Sequence, residues 1–353
     1  MSERQKQLWG AYGTSILIAF CIGLPMLPIF MTGDLRLGLP ISLLIVFLSA
    51  LVFGTAFFIL GAIREIIKIP SFGLNLLAQT GLISLTVAVA SILVMWLSMS
   101  LGSKVSPLDH RILAAMADAL WKPLAAVFLG VGVFIAFLIN AVFQIDHKLG
   151  PGVLWNWITG KYYKPREEER IFMFLDIKGS TTIAEKLGNL LFSELVRDFF
   201  RDMTYPVLET KGEVSHFIGD EAVLTWRPEK GFAKANCVEM FYKMQKVIED
   251  RSVYYTNKYG FVPEFKAGIH VGRVVATEVG EIKSEIVFHG DVLNTAARIQ
   301  SLCNEEGHAL LLSADVAERL GNDSRFQLTS LGEKRLKGKE HEIGLYAAEI
   351  KAS

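Results

Sequence analysis

The chain has 353 residues, room for about two domains, and carries 36 basic and 36 acidic side chains for a formal net charge of zero. That balance excludes recruitment of nucleic acid by a global field. Three cysteines (Cys21, Cys237, Cys303), with no CxxC spacing, exclude a disulfide framework and fit a reducing compartment for the more polar half. Cys237 and Cys303 read as small apolar fillers of helices.

Residues 1–150 are dominated by apolar runs, whereas 160–353 have the composition of an ordinary soluble domain. A helix that crosses a bilayer needs about 20 mostly apolar residues. Four stretches qualify, at 12–31, 41–63, 76–101 and 120–145, and predict an all-α transmembrane bundle of four helices over residues 1–148. The first starts too late, and holds Pro25 and Pro28, to be a cleavable signal peptide. Arg4 and Lys6, then Arg64 and Lys68, then Lys148, Lys161, Lys164, Arg166 and Arg170 flank the spans on one side. The positive-inside rule therefore predicts a multi-pass protein of the inner (plasma) membrane, in contact with lipid, with both termini cytoplasmic. Asn140, the most polar residue deep in the fourth span, is expected to make an interhelical hydrogen bond. No carboxylate or lysine accompanies it, so an anchor or a sensor fits better than a transporter.

Residues 149–170 read as a linker: Gly150-Pro151-Gly152, an aromatic stretch, then the charged run Lys164–Arg170. From 171 onward strand and helix alternate. The pattern gives strand 171–176, helix 182–205, strands 213–217 and 222–226, helix 232–258, and strands 265–271, 273–279 and 285–289. Helix 291–304, strand 308–312, helix 313–320 and strands 326–331 and 342–348 follow. Hairpins mixed with crossover helices predict an α+β fold with a mostly antiparallel sheet over 171–350.

Two aspartates stand out within it. Asp176 closes the apolar run that starts at Ile171 and leads through Gly179 into a helix; Asp220 follows Gly219 at a hairpin turn. Carboxylates at neighbouring strand tips can hold two divalent cations, and helix-opening amides after a glycine turn can hold phosphate. That pairing suggests metal-assisted chemistry on a nucleoside triphosphate.

Five motifs occur in order: Phe174-Leu-Asp-Ile-Lys-Gly-Ser-Thr181, Ile218-Gly-Asp-Glu-Ala-Val223, Gly268-Ile-His-Val-Gly272, Gly290-Asp-Val-Leu-Asn-Thr-Ala-Ala-Arg298 and Leu336-Lys-Gly-Lys339. Together they resemble the catalytic domain of the class III adenylate and guanylate cyclases, of the membrane-anchored bacterial type. The resemblance implies a ferredoxin-like βαββαβ core. It also implies cyclisation of a nucleoside triphosphate to a 3′,5′-cyclic monophosphate and pyrophosphate. Asp176, Ile177 and Asp220 match the positions that hold two divalent cations, Mg²⁺ or Mn²⁺. Gly179, Ser180 and Thr181 match the turn that takes the β- and γ-phosphates. Asn294 and Arg298, one helical turn apart, match the pair that places the ribose and stabilises the pentavalent phosphate. Lys337 matches the lysine for the terminal phosphates. In this family metals and the Asn/Arg pair come from different domains of a dimer, so a chain with both sets implies a homodimer with two equivalent sites.

The resemblance breaks at the base-reading positions. Adenylyl cyclases carry Lys four residues before the second metal Asp, and Asp or Thr three before the Gly of the Asn/Arg motif; here His216 and Val287 stand there. Guanylyl cyclases carry Glu, and Cys or Ser. ATP is favoured on family frequency alone. Guanylate or pyrimidine cyclisation, and a degenerate nucleotide-binding sensor, stay open.

Overall fold

Residues 71–351 are described by the computed structural model, apart from 104, 122, 151–152, 322–324, 337 and 339–341, together with Leu43, Phe47, Ala50, Leu51 and Thr55. The chain divides into two compact units, Met1–Lys148 and Leu149–Ser353.

In the first unit α1 (Phe72–Ser103), α2 (His110–Trp121) and α3 (Pro123–Leu149) are described. Pro123 opens α3, where its missing N–H costs nothing. Asn140 makes the expected interhelical bond: its Nδ2 donates to Thr80 Oγ1 at 3.0 Å and to the Leu76 carbonyl at 3.3 Å. Gln144 extends the seam, donating to Gln79 Oε1 and accepting from Asn75 Nδ2, each at 3.3 Å. The expected transmembrane bundle is not shown. Its first span and most of its second lie outside the described residues, and among those described no helix is long and apolar enough to cross a membrane. The third and fourth spans fall on α1 and α3, where Asn75, Gln79, Thr80, Asn140 and Gln144 interrupt the apolar run.

The second unit is built on one sheet. Its strands are β1 (Arg166–Ile177), β2 (Glu213–Ile218), β3 (Glu221–Trp226), β4 (Phe265–Val279), β5 (Glu285–His289), β6 (Leu310–Ser313), β7 (Phe326–Arg335) and β8 (Glu342–Ile350). Their order is β2-β3-β1-β4-β6-β8-β7, with β5 paired to β4 alone. Among the described residues only β4 and β6 pair in parallel; the other pairs are antiparallel. The helices are α4 (Val153–Ile158), α5 (Ser180–Glu209), α6 (Pro228–Gly231), α7 (Asn236–Asp250), α8 (Ser252–Tyr259), α9 (Asp291–Glu306) and α10 (Ala314–Leu320). The succession β1-α5-β2-β3-α7/α8-β4, with β1 between β3 and β4, is the ferredoxin-like core.

Strand β1 is covered on both sides, which is why Ile171–Leu175 is apolar without alternation. Ile171, Met173, Leu175 and Ile177 pack with residues of α5, α7 and α8. Phe172 and Phe174 point the other way and pack with Val292 and Ala296 of α9. Arg170 and Asp176 share that second face by the two-residue period.

Three boundaries differ from the sequence pattern. Strand β1 starts at Arg166, so the charged run belongs to the sheet: Arg166–Arg170 pair with Ala276–Gly272. Strand β4 runs unbroken through Gly272, which is there for packing and not for a turn, since a Cβ would meet Val292 Cγ2 at 2.7 Å. Gly268 does the same about two turns further along α9; its Cβ would lie 2.2 Å from the Gln300 nitrogen. The expected helix 232–258 breaks at Arg251, whose guanidinium is drawn to Asp202 and over the Tyr254 ring. Cys237 and Cys303 are core fillers as expected, burial pushing their thiols up to about 12 and about 11.

Helices α5 and α8 are joined by a buried carboxylate. Asp198, 1% exposed, accepts from Tyr254 Oη at 2.6 Å, Tyr259 Oη at 2.7 Å and Lys258 Nζ at 3.0 Å. Desolvation pushes its pKa up, and these donors outweigh it, leaving the carboxyl well below the usual carboxylate range. A depressed folded pKa gives stability that is present above the unfolded value and lost as pH falls through the folded one. Asp198→Asn is therefore expected to cost about 2–4 kcal/mol at neutral pH. The gap from wild type should shrink below about pH 4, measured as urea midpoints across pH.

Candidate active site

Strand β1 delivers Asp176 to the edge of the core and then turns. Lys178 N donates to the Glu264 carbonyl at 2.8 Å, Gly179 takes the left-handed conformation (φ 67°), and α5 starts at Ser180. No side chain caps α5; neither Ser180 nor Thr181 closes its first turn, so the opening amides keep room for an anion. Lys178 pairs with Glu264 at 3.5 Å at the surface.

Asp220 arrives beside Asp176 because β3 pairs with β1, and Gly219 (φ 62°) makes the tight turn from β2. One Asp220 oxygen, Oδ2, is buried without a hydrogen-bond partner. Asp176 is pushed up to about 6, first by desolvation and then by its contact with Asp220, against the opposing effects of Lys266 and Gln300. Glu221 is pushed up to about 7 by desolvation and by the two aspartates. Two crowded carboxylates and an orphaned buried oxygen are the donor set that a hard cation would satisfy. Among the described residues no three His, Cys, Asp or Glu side chains gather as a metal site. Ile177 has its side chain in the core, so only its main-chain oxygen could join the aspartates.

Helix α9 presents two faces. Asn294 is exposed and Arg298 half-buried, one turn apart; Arg298 makes no ion pair among the described residues and lies against the backbone at Gly338. Gln300, two residues on and so about 200° round the helix, is 5% exposed and donates to Asp176 Oδ2 at 3.1 Å. Gly290 is the N-cap of this helix and Asp291 its first helical residue. The structure thus brings Asp176 to Asp220 and Asn294 to Arg298, with no hydrogen bond or ion pair joining the two sets among the described residues.

His216 sits exposed on β2, its Nδ1 2.9 Å from Ser215 Oγ. Desolvation holds its pKa below the ordinary histidine value, against the field of Glu285 on β5. Val287 lies on β5 opposite Thr277. Lys337 lies outside the described residues. Sequence reasoning missed Gln300, Lys266 and Glu221. Lys266 is 9% exposed and stands opposite Asp176 in the β1–β4 register. A polar Gln300 within the apolar stripe Val292–Ala296–Ile299–Cys303 was the available signal.

The adenylate and guanylate cyclase catalytic domain matches residues 162–348, more than half of the chain. The chain belongs to this family. Adenylate cyclase 2 of Rhizobium meliloti (strain 1021) is 35% identical over 204 residues, covering 58% of this chain and 56% of that protein. An adenylate cyclase of Anabaena cylindrica is 28% identical over 187 residues, covering 51% and 36%. The chain therefore spans about half the length of the first of these cyclases and about a third of the second. A bacterial light-regulated adenylyl cyclase superimposes with a TM-score of 0.54 at 20% identity, over 65% of this chain and 67% of that one, a likeness of fold.

Proposed function

We propose that this chain is a nucleotide cyclase that converts ATP into 3′,5′-cyclic AMP and pyrophosphate. The carrying observation is the pair Asp176 and Asp220, crowded at neighbouring strand ends with Asp220 Oδ2 orphaned, beside the uncapped start of α5. In the reaction the ribose 3′-oxygen bonds to the α-phosphorus, the bond from that phosphorus to the pyrophosphate oxygen breaks, and the hydroxyl proton is lost. Two divalent cations, Mg²⁺ or Mn²⁺, held by Asp176, Asp220 and the Ile177 main chain, would acidify that hydroxyl and neutralise the leaving charge. The amides of Gly179–Thr181, with Lys337, bind the outer phosphates. Asn294 orients the ribose, and Arg298 faces the charge that develops on the transferring phosphorus. Each site is shared across a homodimer: metals from one protomer, Asn294 and Arg298 from its partner. The test is full-length protein with Mg²⁺ or Mn²⁺ and each of the four triphosphates, with the products identified; no cyclic product from any of them would refute the reading.

Guanylate or pyrimidine cyclisation is the second reading, and Val287 favours it, having no side-chain hydrogen bond with which to select adenine. His216 supports only a weak, tautomer-dependent contact. The wild type is accordingly expected to discriminate ATP from GTP by only about 1–3 kcal/mol, the scale of one or two hydrogen bonds. His216→Lys with Val287→Asp should raise the ATP:GTP ratio of kcat/KM in competition assays. An enzyme already absolute for ATP and indifferent to both changes would place base reading elsewhere.

Residues 1–148 we read as a membrane anchor with both termini cytoplasmic. The basic-residue bias of the sequence supports this. A reporter after Ser353 should score as cytoplasmic and one near Pro107 as external; fractionation of the whole chain as a soluble protein would overturn it.

A further inference from the structure

The two positions assigned to the base lie on the least secured strands of the sheet. His216 is on β2, an edge strand of six residues; Val287 is on β5, five residues paired with β4 alone. The turn that joins β4 to β5 carries the fully exposed Ile282. Each is paired to one neighbour, so side-chain contacts add to what the ladder supplies. One side chain of the central strand reaches both.

Arg170 on β1 is 2% exposed. Its Nη1 donates to Glu213 Oε2 at 2.8 Å, three residues before His216 on β2. Its guanidinium lies over the Phe288 ring, 5.1 Å from the centroid, next to Val287 on β5. Phe288 also makes an edge contact with Phe172, the ring centroids 5.5 Å apart. Two further donors are used: Nε donates to Glu168 Oε1 at 2.8 Å and Nη2 to Tyr162 Oη at 3.4 Å. Burial disfavours the charge, and Glu213 and Glu168 more than restore it, so the guanidinium stays ionised.

A buried charged cluster of this kind is seldom worth its desolvation in stability alone, since apolar residues of like volume often do as well. What it supplies is direction. A planar fork with partners on every side tolerates little displacement. Tyr162 adds a second input: it is 3% exposed, and its carbonyl accepts from Glu278 N on β4 at 2.9 Å. The segment that precedes β1 is thereby tied to the same guanidinium.

We propose that Arg170 is a positioning residue for the base end of the active site, setting the approach of β2 and β5, and that Tyr162 is where the segment before β1 acts on it. This rests on the reading that His216 and Val287 face the base.

The test compares full-length Arg170→Met, Arg170→Lys and Tyr162→Phe with wild type, reading KM and kcat for ATP and for GTP beside the thermal midpoint. Arg170→Met should raise the KM for ATP about tenfold, as small misplacements do, and shift the ATP:GTP preference, with kcat nearly unchanged. Arg170→Lys, which keeps the charge and loses the fork, should recover only part of this. Tyr162→Phe should raise KM about threefold, one weak hydrogen bond's worth. Wild-type KM and base preference in folded variants, or a fall in kcat at constant KM, would overturn the proposal. If Arg170→Met does not fold, Tyr162→Phe and Phe288→Leu are judged by the same criteria. If the wild type makes no cyclic product, the cyclase reading fails by itself, and equilibrium dialysis of ATP and GTP then decides: unaltered affinities in the variants would refute the positioning role.

Discussion

Alanine in place of Asp176 or Asp220 is expected to lower cyclisation by about a thousandfold or more, since each substitution removes a charge that the reaction needs at the phosphates. The fold should survive. Asp220 occupies a turn after Gly219, and its Oδ2 is buried with nothing to accept from. Asp176 is held against it and has Gln300 as its hydrogen-bond donor. Without a cation the two side chains repel, so their removal relieves a cost in the metal-free protein. Asp220→Ala should therefore raise the unfolding midpoint in EDTA, by an amount equivalent to about 1 kcal/mol. Added Mn²⁺ should raise the midpoint of wild type and leave that of the double variant unmoved. Turnover by the double variant at the wild-type rate would remove both aspartates from the mechanism. Equal Mn²⁺ stabilisation of wild type and double variant would place the metals elsewhere.

Complementation is the second large effect. An Asp176→Ala chain and an Arg298→Ala chain should each be inactive as homodimers, and mixing them should restore activity. In the mixed dimer one site has both partners intact and the other has neither. With random assortment half the dimers are mixed, so recovery should approach about one quarter of the wild-type rate. The geometry within one chain underlies this expectation: α9 turns Gln300 inward to its own Asp176, while Asn294 is exposed and Arg298 lies toward Gly338. Confirmed mixed dimers without activity would show that each site is built from a single chain.

The core was legible because its strands carry strong periodic signals. The apolar run at 171–175 marks a strand buried on both faces, and Gly219-Asp220 between two β patterns marks a hairpin. Together with the helices between them, they indicate an α+β fold with a mostly antiparallel sheet; the ferredoxin-like core was implied by the motif resemblance. The structure supplied the sheet order β2-β3-β1-β4. Boundaries were less legible where glycine or charge misleads. Gly272 resembles a strand break in sequence, yet it lies mid-strand because α9 comes too close for a side chain. Arg166–Arg170 resembles a solvated linker, yet it pairs along β4 and buries Arg170 at the end of the run.

Residue types and their spacing were sufficient for the strand ends that carry Asp176 and Asp220, for the glycine turn ahead of α5, and for the shared face of Asn294 and Arg298. Each of these is local: a turn, a cap or one helical repeat decides it. Only the packed sheet could show that Gln300 donates to Asp176 across 124 positions of sequence, or that Lys266 stands opposite it. The same holds for Arg170, whose partners Tyr162, Glu213 and Phe288 come from three separate segments. Such contacts depend on strand register and on which face a helix lays against the sheet, and a one-residue slip in either would abolish them without changing the local pattern.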